Sequence, residues 1–339
     1  MTRTLVTGAT GVFGHRIVDR LAGDGHEVLG LTRTADGAAT VEQHGGRAVQ
    51  ADLLAQDALD AALTDHDIDV VVHAATRLPP ETKTTAEYWE RNDRVRRDGA
   101  ENLVATVGDD IERFVFPSVV WVARQSDGSV FDETAERHPD RATQSAATVE
   151  DYLPAAGSDH GFDTTILRMG LFYAPDGSQT RLFAENLLAG DLPIVGGGLL
   201  GRRDAELSLI HADDAARAVR AAIDAEIDGC YHVVDDEPVT FATYLRAFAD
   251  HLDAPAPRRL PWWLVRPLAG KDTVRFLTNP FPTTNEKFCA ATDWEPMYST
   301  YEDGLAQIIE TWEEDGTLAA LRTDDEDEVT VPTYREAGV

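Results

Sequence analysis

Residues 4–18 read TLVTGATGVFGHRIV, an apolar run of strand length that breaks into glycines and resumes with helical spacing. Thr4–Thr7 is expected to be a buried strand and Val12–Leu21 a helix, which puts Gly8, Gly11 and Gly14 in and around the turn between them. Each glycine then has a physical use. Gly8 permits the tight turn, Gly11 lets the backbone approach a pyrophosphate, and Gly14 brings the helix close against the sheet. The open N–H groups of a helix N-terminus favour phosphate. Together with Thr10, Val12 and Phe13, the three glycines make a candidate dinucleotide cradle. A glycine triplet alone is weak, but this one follows a strand and opens a helix, the context that the motif requires.

The rhythm of the first half continues that beginning. Strands are expected at Glu27–Leu31, Arg47–Ala51, Val70–His73, Arg113–Phe116 and Asp163–Arg168, with a charged helix over Ala86–Val107 and another near Thr143–Leu153. Strands separated by helices imply right-handed crossovers and a parallel sheet covered on both faces. The fold class is therefore α/β, a Rossmann-type doubly wound sheet over residues 1–170. After residue 170 prolines and glycines cluster, and shorter elements follow: a helix over Asp213–Ala225, the strand CYHVV and a helix over Phe241–Leu252. Residues 171–315 read as a smaller C-terminal α+β lobe for substrate, with enough chain to cross back onto the first domain. The run APAPRRLPWWLVRP reads as an irregular arm or wall, and residues 316–339, rich in acids, as a mobile tail.

The balance of charge is 60 Asp and Glu against 30 Lys and Arg, a formal net charge of -30. Such a surface repels itself at low salt and is screened in molar salt over ~3 Å. It resembles the proteins of salt-accumulating halophiles; an arginine bias from a GC-rich genome on an ordinary acidic surface is the alternative. The same balance argues against nucleic acid as a partner. No apolar run approaches the ~20 residues that span a bilayer, and only three residues precede the first strand, so no membrane partner is expected and the cytoplasm is the expected compartment. Cys230 and Cys289 have no metal-ligand spacing and are expected as buried thiols.

The spacing TGxxGxxG resembles the extended short-chain dehydrogenase/reductases, the NAD-dependent epimerase/dehydratase-like proteins, and further segments resemble them in order. ADL at 51–53 looks like the family's adenine contact, giving Asp52 and Leu53 that role. HAAT at 73–76 resembles the loop lining the ribose and nicotinamide side, with Ala74, Ala75 and Thr76. LRMGLFYAP at 167–175 resembles the nicotinamide-side turn, which implicates Met169, and LIHADDAARAV at 209–219 resembles a segment of the second lobe. The likeness runs from Thr4 to about Trp312. It implies a nicotinamide cofactor. The second strand ends LGLTRT, where Thr32 stands at the place of the acid that would pair with a ribose 2′-hydroxyl. Arg33 follows, and a guanidinium suits a 2′-phosphate, so NADP(H) is expected over NAD(H), with the nearby Asp36 as the contrary sign.

The resemblance also implies a catalytic tyrosine with a lysine four residues on, because a phenol near pKa ~10 needs a neighbouring cation to act as a base. With Glu150 matched to the glutamate that follows them, Ala142 holds the tyrosine's place and Ala146 the lysine's. No register restores the pair, since no lysine lies between Lys83 and Lys271. The likeness is thus to the atypical branch. FVFPSVVWVAR at 114–124 puts Ser118 beside the usual serine position, itself Val119. Candidate replacements are Ser118 and Tyr173, the latter a proton donor or simply a packed ring. His138, Arg202, Arg203 and Trp121 are candidate substrate contacts, Trp262 and Trp263 hint at an apolar wall, and His211 is expected to cap or brace a helix. Three functions stay open: an NADP(H)-dependent oxidoreductase on a small carbonyl or alkene, a non-enzymatic NADP(H) sensor with a redox-dependent protein partner, and a nucleotide-sugar epimerase or dehydratase. The charged helix over 86–107 argues for a monomer or weak homodimer, and no metal is expected.

Overall fold

The computed structural model describes residues 1–77, 85–196, 204–264 and 278–323. The first half alternates strands and helices: β1 (Arg3–Thr7), α1 (Gly14–Gly23), β2 (Glu27–Thr32), α2 (Ala35–Gln43), β3 (Arg47–Gln50), α3 (Gln56–Leu63), β4 (Val70–His73), α4 (Ala86–Val107), β5 (Arg113–Val119), α5 (Gln144–His160) and β6 (Asp163–Met169). An excursion follows through β7 (Leu171–Tyr173), α6 (Ser178–Leu188), β8 (Ile194–Val195), β9 (Glu206–Leu207), β10 (Leu209–His211) and α7 (Ala212–Asp224). The chain then re-enters the main sheet as β11 (Gly229–Val233) and leaves through β12 (Val239–Thr240), α8 (Phe241–His251), β13 (Arg259–Leu260), α9 (Glu286–Ala291), α10 (Tyr301–Glu314) and α11 (Thr317–Thr323).

The main sheet has seven strands in the order β11-β6-β5-β4-β1-β2-β3, all parallel. The order reverses between β1 and β4, the switch point where open α/β sheets bind ligands. Both faces are covered. Ile17, Val18 and Leu21 of α1 and Val219, Ala222 and Ile223 of α7 pack on one face. Leu59 of α3, Leu103 and Val107 of α4, and Val149 and Leu153 of α5 pack on the other. The doubly wound α/β class expected from the sequence is present.

The chain after residue 170 does cross back onto the first domain, so the sheet does not divide the chain at that residue. Helix α7 and strand β11 belong to the main sheet, because their apolar faces complete the layer on β6 and α1. The smaller lobe draws its own core from α6, α8 and α10, around Leu187, Phe248 and Trp312. The expected tail also begins too early: Leu318 and Leu321 of α11 are buried in that core, and residues 324–339 lie outside the described residues. Helices α2 and α3 were not anticipated. Helix α5 runs on past Pro154, whose missing N–H is tolerated inside an otherwise packed helix. Of the proline-rich run, Arg259–Leu260 pairs in parallel with Ile194–Val195.

Candidate functional site

A cavity of about 950 Å³ opens at the carboxyl edge of the sheet. Its floor is the glycine turn. Gly8 has φ +69°, and a Cβ there would lie 2.8 Å from the Ala74 carbonyl oxygen and the Ala75 Cα, so the turn and the loop after β4 touch backbone to backbone. A Cβ on Gly14 would lie 1.9 Å from the Gly8 carbonyl oxygen. Helix α1 has Phe13 at its N-cap, with no side-chain cap and no acid in its first turn, whereas threonines cap α2, α4, α8 and α10. Uncapped N–H groups at the mouth of a cavity are what a phosphate needs. Arg16 braces this end, reaching the Val12 carbonyl at 2.7 Å, Asp213 at 2.5 Å and Asp176 at 2.7 Å.

The expected cofactor residues Gly8, Thr10, Gly11, Val12, Phe13, Gly14, Arg33, Asp52, Leu53, Ala74, Ala75 and Thr76 all line this one cavity. Arg33 is exposed at the end of β2 and makes no hydrogen bond or ion pair with any described residue. Asp36 sits in the first turn of α2, also exposed. Asp52 is exposed, its Oδ1 accepting from the Leu54 N–H at 3.0 Å. Met169 departs from expectation: it is fully buried among the strands and does not reach the cavity, whose wall there is Phe172 and Ala174. Phe172 instead meets Phe13, with ring centroids 5.0 Å apart.

The loop after β4 is held by a buried relay that the sequence did not reveal. The Ala75 N–H donates to Thr7 Oγ1 at 3.3 Å, and Thr7 Oγ1 lies 2.8 Å from His73 Nδ1. His73 Nε2 lies 3.0 Å from the Arg96 carbonyl oxygen. The assignment that satisfies every atom is neutral imidazole with its proton on Nε2, accepting from Thr7 at Nδ1. Burial pushes this histidine down to about 4, which keeps it neutral.

The catalytic candidates fare differently. Ser118 lines the cavity, but its hydroxyl donates to Glu150 Oε1 at 2.5 Å. Glu150 is buried and also takes Arg168 through Nε and Nη2 at 3.1 and 2.7 Å, with Arg137 at 3.1 Å. Ser118 therefore has no proton left to give. Tyr173 also borders the cavity, yet its hydroxyl is sealed from solvent, unpartnered among the described residues, and set against Gly304 in the core of the smaller lobe. Burial, with Asp235 nearby, raises its pKa well above 10, so it is a poor acid placed away from the opening. Ala142 lies in the turn before α5, Ala146 is buried within the helix, and neither lines the cavity. Lys287, the lysine among the described residues, bonds the Cys230 carbonyl and lies over the Tyr231 ring.

Among the substrate candidates, Trp121 does line the cavity and packs on Phe281. His138 does not; it is exposed, with its backbone N–H donating to the Val122 carbonyl. Trp263 is exposed away from the site. Arg202 and Arg203 lie outside the described residues. His211 caps α7, Nδ1 accepting from the Asp213 N–H at 3.3 Å, as expected. Cys230 and Cys289 are free thiols and only half-buried by exposure. The described residues hold no cluster that could bind a metal ion, and none of their helices is long and apolar enough to cross a membrane. Sequence reading missed one side of the cavity, formed by Arg77 and by Arg91, Arg94, Val95 and Arg96 of α4. The helical periodicity of α4 was legible; which of its many charges faced inward was not.

A parallel sheet with a switch-point cavity, an uncapped glycine-turn helix and a wall of arginines defines a dinucleotide-binding α/β protein. The model of the NAD dependent epimerase/dehydratase family matches residues 4–233, and the chain belongs to that family. It is similar to a 3-diazoavenalumate denitrifying reductase from a Streptomyces species, 34% identical over 314 residues, covering 90% of this chain and 99% of the relative. Among solved structures it resembles a Thermus thermophilus UDP-glucose 4-epimerase in complex with NAD, with TM-score 0.75, 24% identity, and coverage of 92% of this chain and 99% of that one. A human epimerase family protein with NADPH gives TM-score 0.74 at 19% identity, covering 91% and 99%. The two structures share the fold with this chain.

Proposed function

We propose that the protein is an NADP(H)-dependent reductase acting on a small, already electrophilic substrate that needs no phenol–ammonium pair to activate it. The observation that carries this is a cradle beside a missing relay: the expected cofactor residues other than Met169 line one cavity, while Ala142 and Ala146 stand at the tyrosine and lysine places. A bound NADPH would supply hydride. The glycine turn and the N-terminus of α1 would hold its pyrophosphate, Asp52 and Leu53 the adenine end, and Arg33, unpaired among the described residues, the 2′-phosphate. Trp121, Val119 and Phe172 would keep the reacting end apolar and exclude bulk water. The proton would come from water at the mouth of the cavity, since Ser118 is committed to Glu150 and the Tyr173 hydroxyl is sealed away.

Acceptors that take hydride without first polarising an alcohol or ketone include conjugated carbonyl compounds, activated alkenes and diazo groups. The diazo case is favoured by the likeness to the Streptomyces reductase along nine-tenths of the chain. A nucleotide-sugar epimerase or dehydratase would lean on the absent pair at every turnover, and a redox sensor needs the cradle alone. The acidic surface supports a protein that works in molar salt, in the cytoplasm, and the charged outer face of α4 supports a monomer or weak homodimer.

The test is NADPH oxidation in molar KCl with a panel of diazo-substituted aryl carboxylic acids, enones and simple ketones, beside UDP-glucose. Turnover with an activated acceptor is the expected result. NADPH binding without turnover on any acceptor would favour the sensor, and conversion of UDP-glucose would overturn the reductase reading.

A further inference from the structure

Helix α4 buries one stripe, consisting of Asn92, Arg96, Gly99, Ala100, Leu103, Val104 and Val107. An arginine on such a stripe is out of place unless something compensates it, because an unpaired buried charge is costly. Arg96 is only 7% exposed, and its guanidinium makes no hydrogen bond or ion pair with any described residue. Asp93 is the carboxylate that acts on it electrostatically, and Asp93 is itself bonded to Arg141. The neighbouring cations of the helix are already neutralised: Arg91 pairs with Glu87 at 2.5 Å and Arg94 with Asp98 at 3.5 Å. Burial brings Arg96 down to about 10, so it stays a cation at neutral pH. The side chain borders the cavity that holds the glycine turn. Its backbone carbonyl is held by His73, whose Nε2 lies 3.0 Å away.

We propose that Arg96 is the oxyanion-recognition residue of this cavity, taking a carboxylate on the substrate or a phosphate oxygen of the dinucleotide as its missing counter-ion. The proposal rests on the reductase reading for the identity of the two ligands. The substrate carboxylate is the favoured source, because the helix N-terminus and Arg33 already offer partners to the pyrophosphate and the 2′-phosphate. A cation with no hydrogen-bonded counter-ion among the described residues, on a largely apolar stripe, then acts as a selector: it leaves the empty protein less stable and favours ligands that bring a negative oxygen.

The decisive variants are Arg96→Met, which keeps length without charge, and Arg96→Lys, which keeps charge without the fork. Thermal unfolding and fluorescence titrations would be run in molar KCl, with NADPH, and with cinnamate and cinnamide added to the NADP⁺ complex. Without ligand, Arg96→Met should melt ~2–5 °C higher than wild type, since it removes an unpaired buried charge; a purely structural arginine would give a lower value. Loss of cinnamate affinity by roughly 10- to 100-fold, with NADPH within about twofold and cinnamide unchanged, assigns the oxyanion to the substrate. An equal loss for NADPH assigns it to the dinucleotide. Wild-type affinities in Arg96→Met for NADPH and cinnamate alike overturn the proposal. A wild-type chain that bound no NADPH would instead remove the reductase reading, and Arg96 would then be judged by titrating cinnamate and cinnamide onto the dinucleotide-free protein, where equal affinities in wild type and Arg96→Met overturn the proposal.

Discussion

Two glycines of the cradle sit three residues apart, and the structure predicts opposite consequences for filling them. At Gly14 an added Cβ would lie 1.9 Å from the Gly8 carbonyl oxygen and 2.6 Å from its carbon. Ordinary contact needs ~3.4 Å, so the start of α1 must move ~1.5 Å away from a turn that is itself wedged against the loop after β4. Overpacking of a rigid backbone contact costs ~3 kcal/mol, or roughly 4 °C in Tm for a chain of this size. At Gly11 the same added atom meets only the Gly8 carbonyl oxygen, at 3.5 Å, and the backbone there does not have positive φ. Gly11→Ala should therefore melt within ~2 °C of wild type. Its methyl group would nevertheless stand in the cavity where backbone must approach the phosphates, and NADPH affinity should fall by tenfold or more. Circular dichroism melts without ligand and fluorescence titrations with NADPH separate the two effects. A Gly11→Ala protein that melts as low as Gly14→Ala, or that binds NADPH as wild type does, would refute this account of the cradle.

Three further outcomes follow from the geometry. Arg33→Glu should weaken NADPH by at least tenfold while improving NADH, measured as the ratio of the two dissociation constants; an unchanged ratio would remove Arg33 from the 2′-phosphate. Glu150→Ala should cost ~3–5 kcal/mol in chemical denaturation, because it strands the buried Arg168 guanidinium, and a loss under 1 kcal/mol would mean that Arg168 finds another partner. The third concerns His73. Its folded pKa of about 4 lies below the unfolded 6.5, so the unfolded chain binds the proton first. Its contribution is thus fully present above pH 6.5, is lost as pH falls, and levels off below 4. At ~1.4 kcal/mol per pH unit, about 2.5 units make ~3 kcal/mol. The stability difference between wild type and His73→Asn should shrink steadily from pH 6.5 to 5, and a constant difference would count against a neutral buried imidazole.

The sequence by itself determined the first six strands of the sheet, the glycine turn and the absence of the tyrosine–lysine pair. Strand and helix periodicities are local, and Gly8 is required by its own positive φ and Gly14 by the Gly8 carbonyl six residues before it, so one dimension suffices to read them; that Gly8 also meets the backbone of Ala74 and Ala75 is a fact of the fold. The absence of a lysine between Lys83 and Lys271 is likewise a fact of the chain alone. Tertiary structure decided what depends on partners distant in sequence. Helix α7 and β11 joined the main sheet because their apolar faces fit β6 and α1, which no local pattern dictates. Tyr173 and Met169 follow or end strands at the right places, yet packing turned the one's hydroxyl into the smaller lobe and closed the other inside the core. His73 was visible only as the first residue of HAAT, with no role attached, and Arg96 carried no motif at all. One is 23 residues from the other, and only the packing of α4 on β4 sets a neutral histidine against the backbone of an arginine that is unpaired among the described residues, at the edge of the switch-point cavity.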